Sequence, residues 1–352
     1  MPSSNAADEV KLRVAPQMQV IAQTRAPEAE DPFQQIDEIR AQDADLQPGQ
    51  FGTVYFKSVT VAGVELKLEP LQPSIGTVVH GIDLAQAIQT PELIRFLREL
   101  WLERRTIMFR DQQHLTREEM VLFAECFGEV GAHHGERDHV PGSKDGSKGP
   151  MTPPGFPDML ILKSNEKYGG AASGWHSDAT WSARPPMGSI LRCIEAPPVG
   201  GDTSFCDAYA MWAGLSEETK EIAARLSAVH VGQAQHKMDG VTPSAIHPVA
   251  RTHPETGGTV LFVQRGFVRA FAEGHGLTPD QEQALLFELF ERQGQPEYTC
   301  RFKWQPGSIA MWDNRAVLHR ATADFWPHRR HMERLTILDY DQAKRVPYYD
   351  PA

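Results

Sequence analysis

Apolar and polar residues alternate through "VELKLEPL", residues 64–71, the period of a strand with one buried face. The ordered domain is expected to begin near there. The period then changes in "TPELIRFLRELWLERR", where Leu93, Phe96, Leu97, Leu100 and Trp101 fall on one helical face. Thr90 is placed as its N-cap and Pro91 at its first helical position. "TIMFRD" follows as a buried strand, and "TREEMVLFAECFG" as a second helix. In that helix Thr116 and Glu119 form a capping box, and Gly128 is read as the stop.

Beyond residue 157 the runs shorten. "MLILKS", "GSILRCIEA", "TSFCDA", "TVLFVQ", "YTCRFKW", "SIAMWD" and "RLTILDY" read as strands, several separated by turns such as "PPVGG". Two helices interrupt them, "LSEETKEIAARLSA" and "LTPDQEQALLFELFERQ", the second with Thr278 and Gln281 as a capping box. Many short strands with helical insertions predict a mainly-β fold, an antiparallel sandwich or barrel with flanking helices outside. Residues 1–50 carry little periodicity and are read as a flexible N-terminal arm ahead of a single domain over 51–352, with one short helix at "FQQIDEIRAQ". The run at 142–157, "GSKDGSKGPMTPPGFP", is longer than an ordinary connection and is read as a lid loop.

Composition narrows the function. With 35 basic and 46 acidic residues the formal charge is −11, which argues against nucleic acid or an anionic membrane as partner. An anionic ligand needs a local basic pocket. Four cysteines without a C-x-x-C pair read as reduced thiols of a cytoplasmic protein. The N-terminus lacks the pattern of a signal peptide, and no window is apolar enough to span a membrane. No dinucleotide or Walker motif occurs.

The chemistry concentrates in two places. "GWHSDATW" holds His176 and Asp178. In a strand these two would point the same way, so they could supply two adjacent metal ligands. Among 14 histidines and 46 acids such a pair also arises by chance as a polar turn. Far downstream, "SIAMWDNRAVLHRATADFWPHRRHMER" brings His319, Arg330 and Arg334. Two histidines and one carboxylate on one octahedral face suit Fe(II) in O₂ chemistry, and arginine forks hold carboxylates bidentately.

"WHSDATW", "PPMGSILRCIEAPPVGGDTSFCDAY", "WDNRAVLHRATADF" and "RRHMERLTIL", in this order, resemble the taurine dioxygenase family of Fe(II)/2-oxoglutarate-dependent oxygenases. The N-terminal "LEPLQPSIGTVVHGIDLAQ" and "FRDQQHLTREE" resemble it too, so the likeness runs from about residue 65 to about residue 340. It implies a double-stranded β-helix, a jelly-roll or cupin-like fold. It implies Fe(II) on His176, Asp178 and His319, with O₂ and 2-oxoglutarate as cosubstrates. Thr203 and Arg330 would hold the distal carboxylate of 2-oxoglutarate. His133, Arg334 and the N–H of Ala179 would hold a substrate anion, and Phe267 would wall the site. Asp178 stands where halogenating relatives carry a small residue, so hydroxylation is implied.

Two positions depart from the taurine enzyme's pattern: Ala172 replaces an Asn near the amine, and Glu136 replaces an aromatic residue. The expected reaction is hydroxylation of carbon beside an anionic group, an alkyl sulfonate or sulfate ester, which would release sulfite or sulfate, an aldehyde, succinate and CO₂. The alternative is a carboxylate substrate such as an aryloxyalkanoate or a natural-product acid. A non-catalytic cupin-like protein with a structural metal and a zinc hydrolase fit less well, because neither needs a cosubstrate clamp. A homo-oligomer is open.

Overall fold

The structure, a computed structural model, describes residues 57–131, 152–164, 173–233, 236 and 240–351. The arm at 1–50, its short helix and residues 142–151 of the expected lid lie outside them. The first strands are β1 (Lys57–Val61), β2 (Val64–Pro70), β3 (Thr77–His80), β4 (Thr106–Phe109), β5 (Glu129–Gly131), β6 (Leu160–Ser164) and β7 (Gly188–Glu195). Then come β8 (Thr203–Asp207), β9 (Ser227–Val231), β10 (Ser244–Pro248), β11 (Ala250–Thr252), β12 (Thr259–Leu261) and β13 (Val268–Phe271). The last are β14 (Thr299–Phe302), β15 (Ile309–Asp313), β16 (Val317–Ala321) and β17 (Arg330–Leu338).

The large sheet runs β1-β2-β3-β4-β15-β7-β17-β5, with β6 also on β17. A smaller sheet, β14-β8-β16, supplies the facing layer. Phe205, Phe302 and Val317 of the small sheet share one core with Leu191, Cys193, Ala310, Trp312 and Met332 of the large one. The two-residue period of strands is visible on β15: Ala310 and Trp312 enter this sandwich, whereas Ile309 and Met311 face the opposite core. That second core is capped by helices. α1 (Leu84–Ala87), α2 (Pro91–Arg104) and α3 (Arg117–Glu125) bury Leu93, Leu97, Trp101, Met120 and Phe123 against Phe109, Ile190, Leu335 and Ile337. This is the mainly-β, double-stranded β-helix class with flanking helices that the sequence implies. β4 pairs parallel with β3, the one parallel ladder among the described strands, so the sheet is mixed rather than wholly antiparallel. Among the described residues no helix is long and apolar enough to cross a membrane.

Local signals performed unevenly. Both capping boxes form, at Thr116 with Glu119 and at Thr278 with Gln281, the latter opening α6 (Pro279–Glu291) after α4 (Ala208–Ala213) and α5 (Glu217–Ala223). Thr90 does sit at the N-cap of α2, but its hydroxyl donates to Gln86 O at 3.1 Å instead of capping. All four cysteines are free thiols, and burial pushes those of Cys193, Cys206 and Cys300 up, to about 11, 12 and 12.

Gly128 stops nothing: α3 ends at Glu125 with Cys126 as its C-cap. Its glycine is required by contact, because a β-carbon there would lie 2.3 Å from Leu338 O and 2.7 Å from the Ile337 side chain. The nearest obstacle is backbone and cannot swing away. Gly128→Ala should therefore lower unfolding free energy by about 1–3 kcal/mol, the usual cost of overpacking. Urea denaturation of the two proteins measures this, and an unchanged midpoint would show that the β5–β17 corner yields freely.

Candidate metal centre and its pocket

His176 and His319 meet across one isolated antiparallel bridge. His176 N–H donates to His319 O at 3.1 Å, and His319 N–H donates back to His176 O at 2.7 Å. Residues directly opposite in such a pair present their side chains on one face, and the two imidazoles stand 4.2 Å apart between centroids. On its other edge β16 pairs with β8, His319 opposite Phe205, so the histidine is anchored in the sandwich wall. His176 has no strand around it. Its close approach depends on Gly266, where a β-carbon would lie 2.9 Å from that of His176.

The H-x-D pair is therefore not two residues of one strand, as the spacing suggests. The chain leaves the bridge at Ser177 and turns. Ser177 N–H donates to Gln264 Oε1, Ser177 Oγ donates to Asn314 O, and Ala179 takes a left-handed φ of 47°. This turn brings Asp178 Oδ1 to 3.7 Å from Nε2 of both His176 and His319. One ligand atom from each of the three residues lies within 4.8 Å of the others.

These donors suit a divalent metal. His176 Nδ1 faces Gly174 O at 2.8 Å, and a carbonyl only accepts, so the proton sits on Nδ1 and Nε2 offers its lone pair. Burial lowers the pKa of His176, Asp178 opposing it, which favours the neutral imidazole a metal needs. Asp178 Oδ2 accepts from Ser189 Oγ at 2.8 Å and from Arg334 Nη2 at 2.7 Å, leaving Oδ1 toward the histidines.

The expected cosubstrate residues lie close by. On β17 the buried Met332 points into the sandwich, and by the strand period Arg330 and Arg334 share its face. Arg330 donates from Nε to Gly201 O at 3.2 Å and has no carboxylate partner among the described residues. Burial lowers its pKa. Gly201 stands two residues before Thr203, whose Oγ1 accepts from Trp304 Nε1 at 3.0 Å and keeps its own proton to donate. A buried cation with no described counter-ion and a hydroxyl donor on a nearby strand are groups that could hold a carboxylate.

On the substrate side the structure brings Arg334, Ala179 and Phe267 to the metal residues. Phe267 stands edge-on to His176 at 5.7 Å and to Trp181 at 4.6 Å. Ala179 is buried in the same apolar cluster. The N–H of Ala179 finds no acceptor among the described residues. His133, Glu136 and Ala172 lie outside those residues. Sequence reasoning gave no role to Ser189, Gln264, Gly266 or Asn314. "WDNR" and "QRGF" contain three of them, but their roles exist only once distant segments meet.

A mainly-β sandwich that brings two histidines and a carboxylate within reach of one metal ion is the arrangement of an Fe(II)/2-oxoglutarate-dependent dioxygenase, an oxidoreductase. Comparison with known proteins agrees. The alkylsulfatase of Acinetobacter baylyi is 30% identical over 290 residues, 78% of this chain and 85% of its own length. The (S)-phenoxypropionate/alpha-ketoglutarate-dioxygenase of Sphingobium herbicidovorans is 32% identical over 272 residues, 72% of this chain and 88% of its own. The crystal structure of a taurine dioxygenase from Burkholderia xenovorans superposes with a TM-score of 0.64 at 33% identity, covering 78% of this chain and 91% of that one. Residues 67–336 match the family described as taurine catabolism dioxygenase TauD, TfdA, and the chain belongs to it.

The turn after Asp178 rests on neutral imidazoles. His247 Nε2–H donates to Thr180 O at 2.8 Å and Ser182 O at 3.0 Å, and His230 Nδ1 meets Thr180 Oγ1 at 2.9 Å. Burial pushes His247 down to about 4, and burial with Arg315 does the same to His253. An unfolded histidine binds its proton near the ordinary value of about 6.5, so between that pH and about 4 the unfolded state holds more protons. Stability from these groups is complete above the unfolded value and lost as pH falls toward the folded one. Unfolding free energy should drop by up to about 1.4 kcal/mol per pH unit per histidine, measured from about pH 6.5 to about pH 5, above most carboxylates. A profile flat over that range would show these imidazoles to be accessible to protons.

Proposed function

We propose that this enzyme hydroxylates the carbon next to the anionic group of an alkyl sulfonate or sulfate ester. In this reading His176, Asp178 and His319 hold Fe(II), and Thr203 and Arg330 hold the distal carboxylate of 2-oxoglutarate. The bound iron supplies O₂ activation coupled to oxidative decarboxylation of the cosubstrate. The chain supplies placement. Arg334 and the N–H of Ala179, joined by His133, grip the substrate anion, and Phe267 excludes water from the carbon to be oxidised. One oxygen atom enters succinate and the other the C–H bond. The hydroxylated carbon then sheds sulfite by C–S cleavage, or sulfate by C–O cleavage, and becomes an aldehyde.

The observation that carries the reading is the buried Arg334 guanidinium 2.7 Å from Asp178 Oδ2. A cationic fork beside the metal residues, separate from Arg330, supports a second anion besides the cosubstrate. The similarity to an alkylsulfatase and a taurine dioxygenase supports a sulfur oxyanion at the second seat. Ala172, where taurine's amine would want a polar partner, points away from taurine itself. The 32% identity to a phenoxypropionate dioxygenase keeps a carboxylate substrate as the second reading.

A panel of alkyl sulfonates, alkyl sulfate esters, taurine and aryloxyalkanoates, scored by succinate formed, decides between them. Sulfonates or sulfate esters should stimulate turnover most, with sulfite or sulfate released in step, and taurine should trail longer alkyl sulfonates. Stimulation by carboxylates alone would overturn the organosulfur assignment.

A further inference from the structure

We propose that Asn314, acting through Ser189, is the positioning residue that fixes how Asp178 presents its carboxylate to the metal. The inference rests on the reading of Asp178 as a ligand.

The direction of every link is forced. An indole N–H can only donate, and Trp312 Nε1 lies 2.9 Å from the Asn314 amide oxygen, so that oxygen is Oδ1. The amide nitrogen therefore faces Ser189, and Nδ2 donates to Ser189 Oγ at 3.0 Å. With its oxygen thus engaged, Ser189 turns its one hydroxyl proton to Asp178 Oδ2 at 2.8 Å. Trp312, Asn314, Ser189 and Asp178 are all buried, at 2% exposure or less, so water does not compete along the chain. Asp178 has two equivalent oxygens in solution. Here Oδ2 meets Ser189 and Arg334, while Oδ1 lies 3.7 Å from Nε2 of each histidine. A carboxylate so held would offer a metal one oxygen, Oδ1.

The backbone of Asn314 reaches the other ligands. Its carbonyl accepts from Ser177 Oγ, between His176 and Asp178, and its N–H donates to Met187 O at 2.9 Å. Three residues on, the chain enters β16, which carries His319. The bland reading of an Asn in a tight connection is a turn-former, and such residues are usually exposed and bonded to their own backbone. Asn314 is 1% exposed, and its amide is spent on an indole and a distant hydroxyl. The turn is held by another residue: Arg315 Nε and Nη2 fork onto Asp313 Oδ1 and Oδ2 at 2.8 and 2.7 Å. The Asn314 side chain is thereby free to serve the site, and its loss need not open the turn.

The test is anaerobic Co(II) titration of the full chain, read by visible absorption, for Ser189→Ala, Asn314→Ala, the double variant and Asp178→Ala. Each single variant should bind Co(II) about tenfold more weakly, with an altered ligand-field spectrum as the carboxylate loses its one-oxygen pose. The double variant should match the weaker single, because both act along one path. Wild-type affinity and spectrum in Ser189→Ala, or losses that multiply in the double variant, would overturn the relay. Should Asn314→Ala fail to fold, Asn314→Asp replaces it: the shape and the acceptor for Trp312 stay, the donor to Ser189 goes, and the same loss is expected. Asp178→Ala distinguishes a failed relay from a carboxylate that is no ligand. Abolished binding there with unaffected relay variants refutes the relay alone, whereas unaffected binding there refutes the ligand reading and the relay with it.

Discussion

The pair of backbone hydrogen bonds between His176 and His319 is the constraint on which the site depends. Side-chain ligands on loops lose precision with each rotatable bond between them and the fold. Here the two imidazoles spring from backbones already bonded to each other, so their relative placement needs only two side-chain torsions each. β16 brings His319 from the sandwich wall, where β8 pins it opposite Phe205. Gly266 lets the neighbouring loop close against His176. Asp178 then requires only a short turn, fixed by Gln264 and Asn314, to complete the face.

The same economy governs the anion seats. An acidic chain of net charge −11 repels anions at long range, yet its proposed ligands are anionic. The answer is local: β17 carries Arg330 and Arg334 four residues apart, on one face by the strand period. Arg330 is desolvated with no described counter-ion, and Arg334 shares Asp178 with the metal position. On the opposite face of β17, Glu333 is bound by Arg192 and Arg117. Burial raises its carboxyl, and the two arginines more than offset this, holding it below the ordinary range. Alternation along one strand thus sets the Glu333 ion pairs on one side and the two arginines proposed to hold anions on the other.

What could be read from the sequence was what is local or periodic. The capping boxes at Thr116 and Thr278 are signals within four residues, and both form. "SIAMWD" and the first six residues of "GSILRCIEA" are buried on both faces, so apolar neighbours such as Ile190 and Leu191 stand side by side and the strands are legible. β16 escaped notice as a strand because its ligand histidine and Arg320 break its short apolar run. The metal residues were legible as residue types, and only the family likeness made the 142 intervening residues, from 177 to 318, irrelevant. The spacing of His176 and Asp178 fits a strand and a turn alike, so the turn at Asp178 was not legible from it. Ser189 and Asn314 carry no local signature at all: their meaning is set by an indole and a carboxylate brought from elsewhere in the chain.

The backbone pairing builds the site before any metal arrives. Hydrogen exchange of the metal-free protein, resolved at single amides, tests it most directly. The amides of His176 and His319 should exchange as slowly as those of the paired strands β8 and β15, with little change when Co(II) or Mn(II) is added. Exchange of the His176 amide at the rate of an open loop, slowing only with metal present, would contradict the account and show that the metal assembles its own ligands.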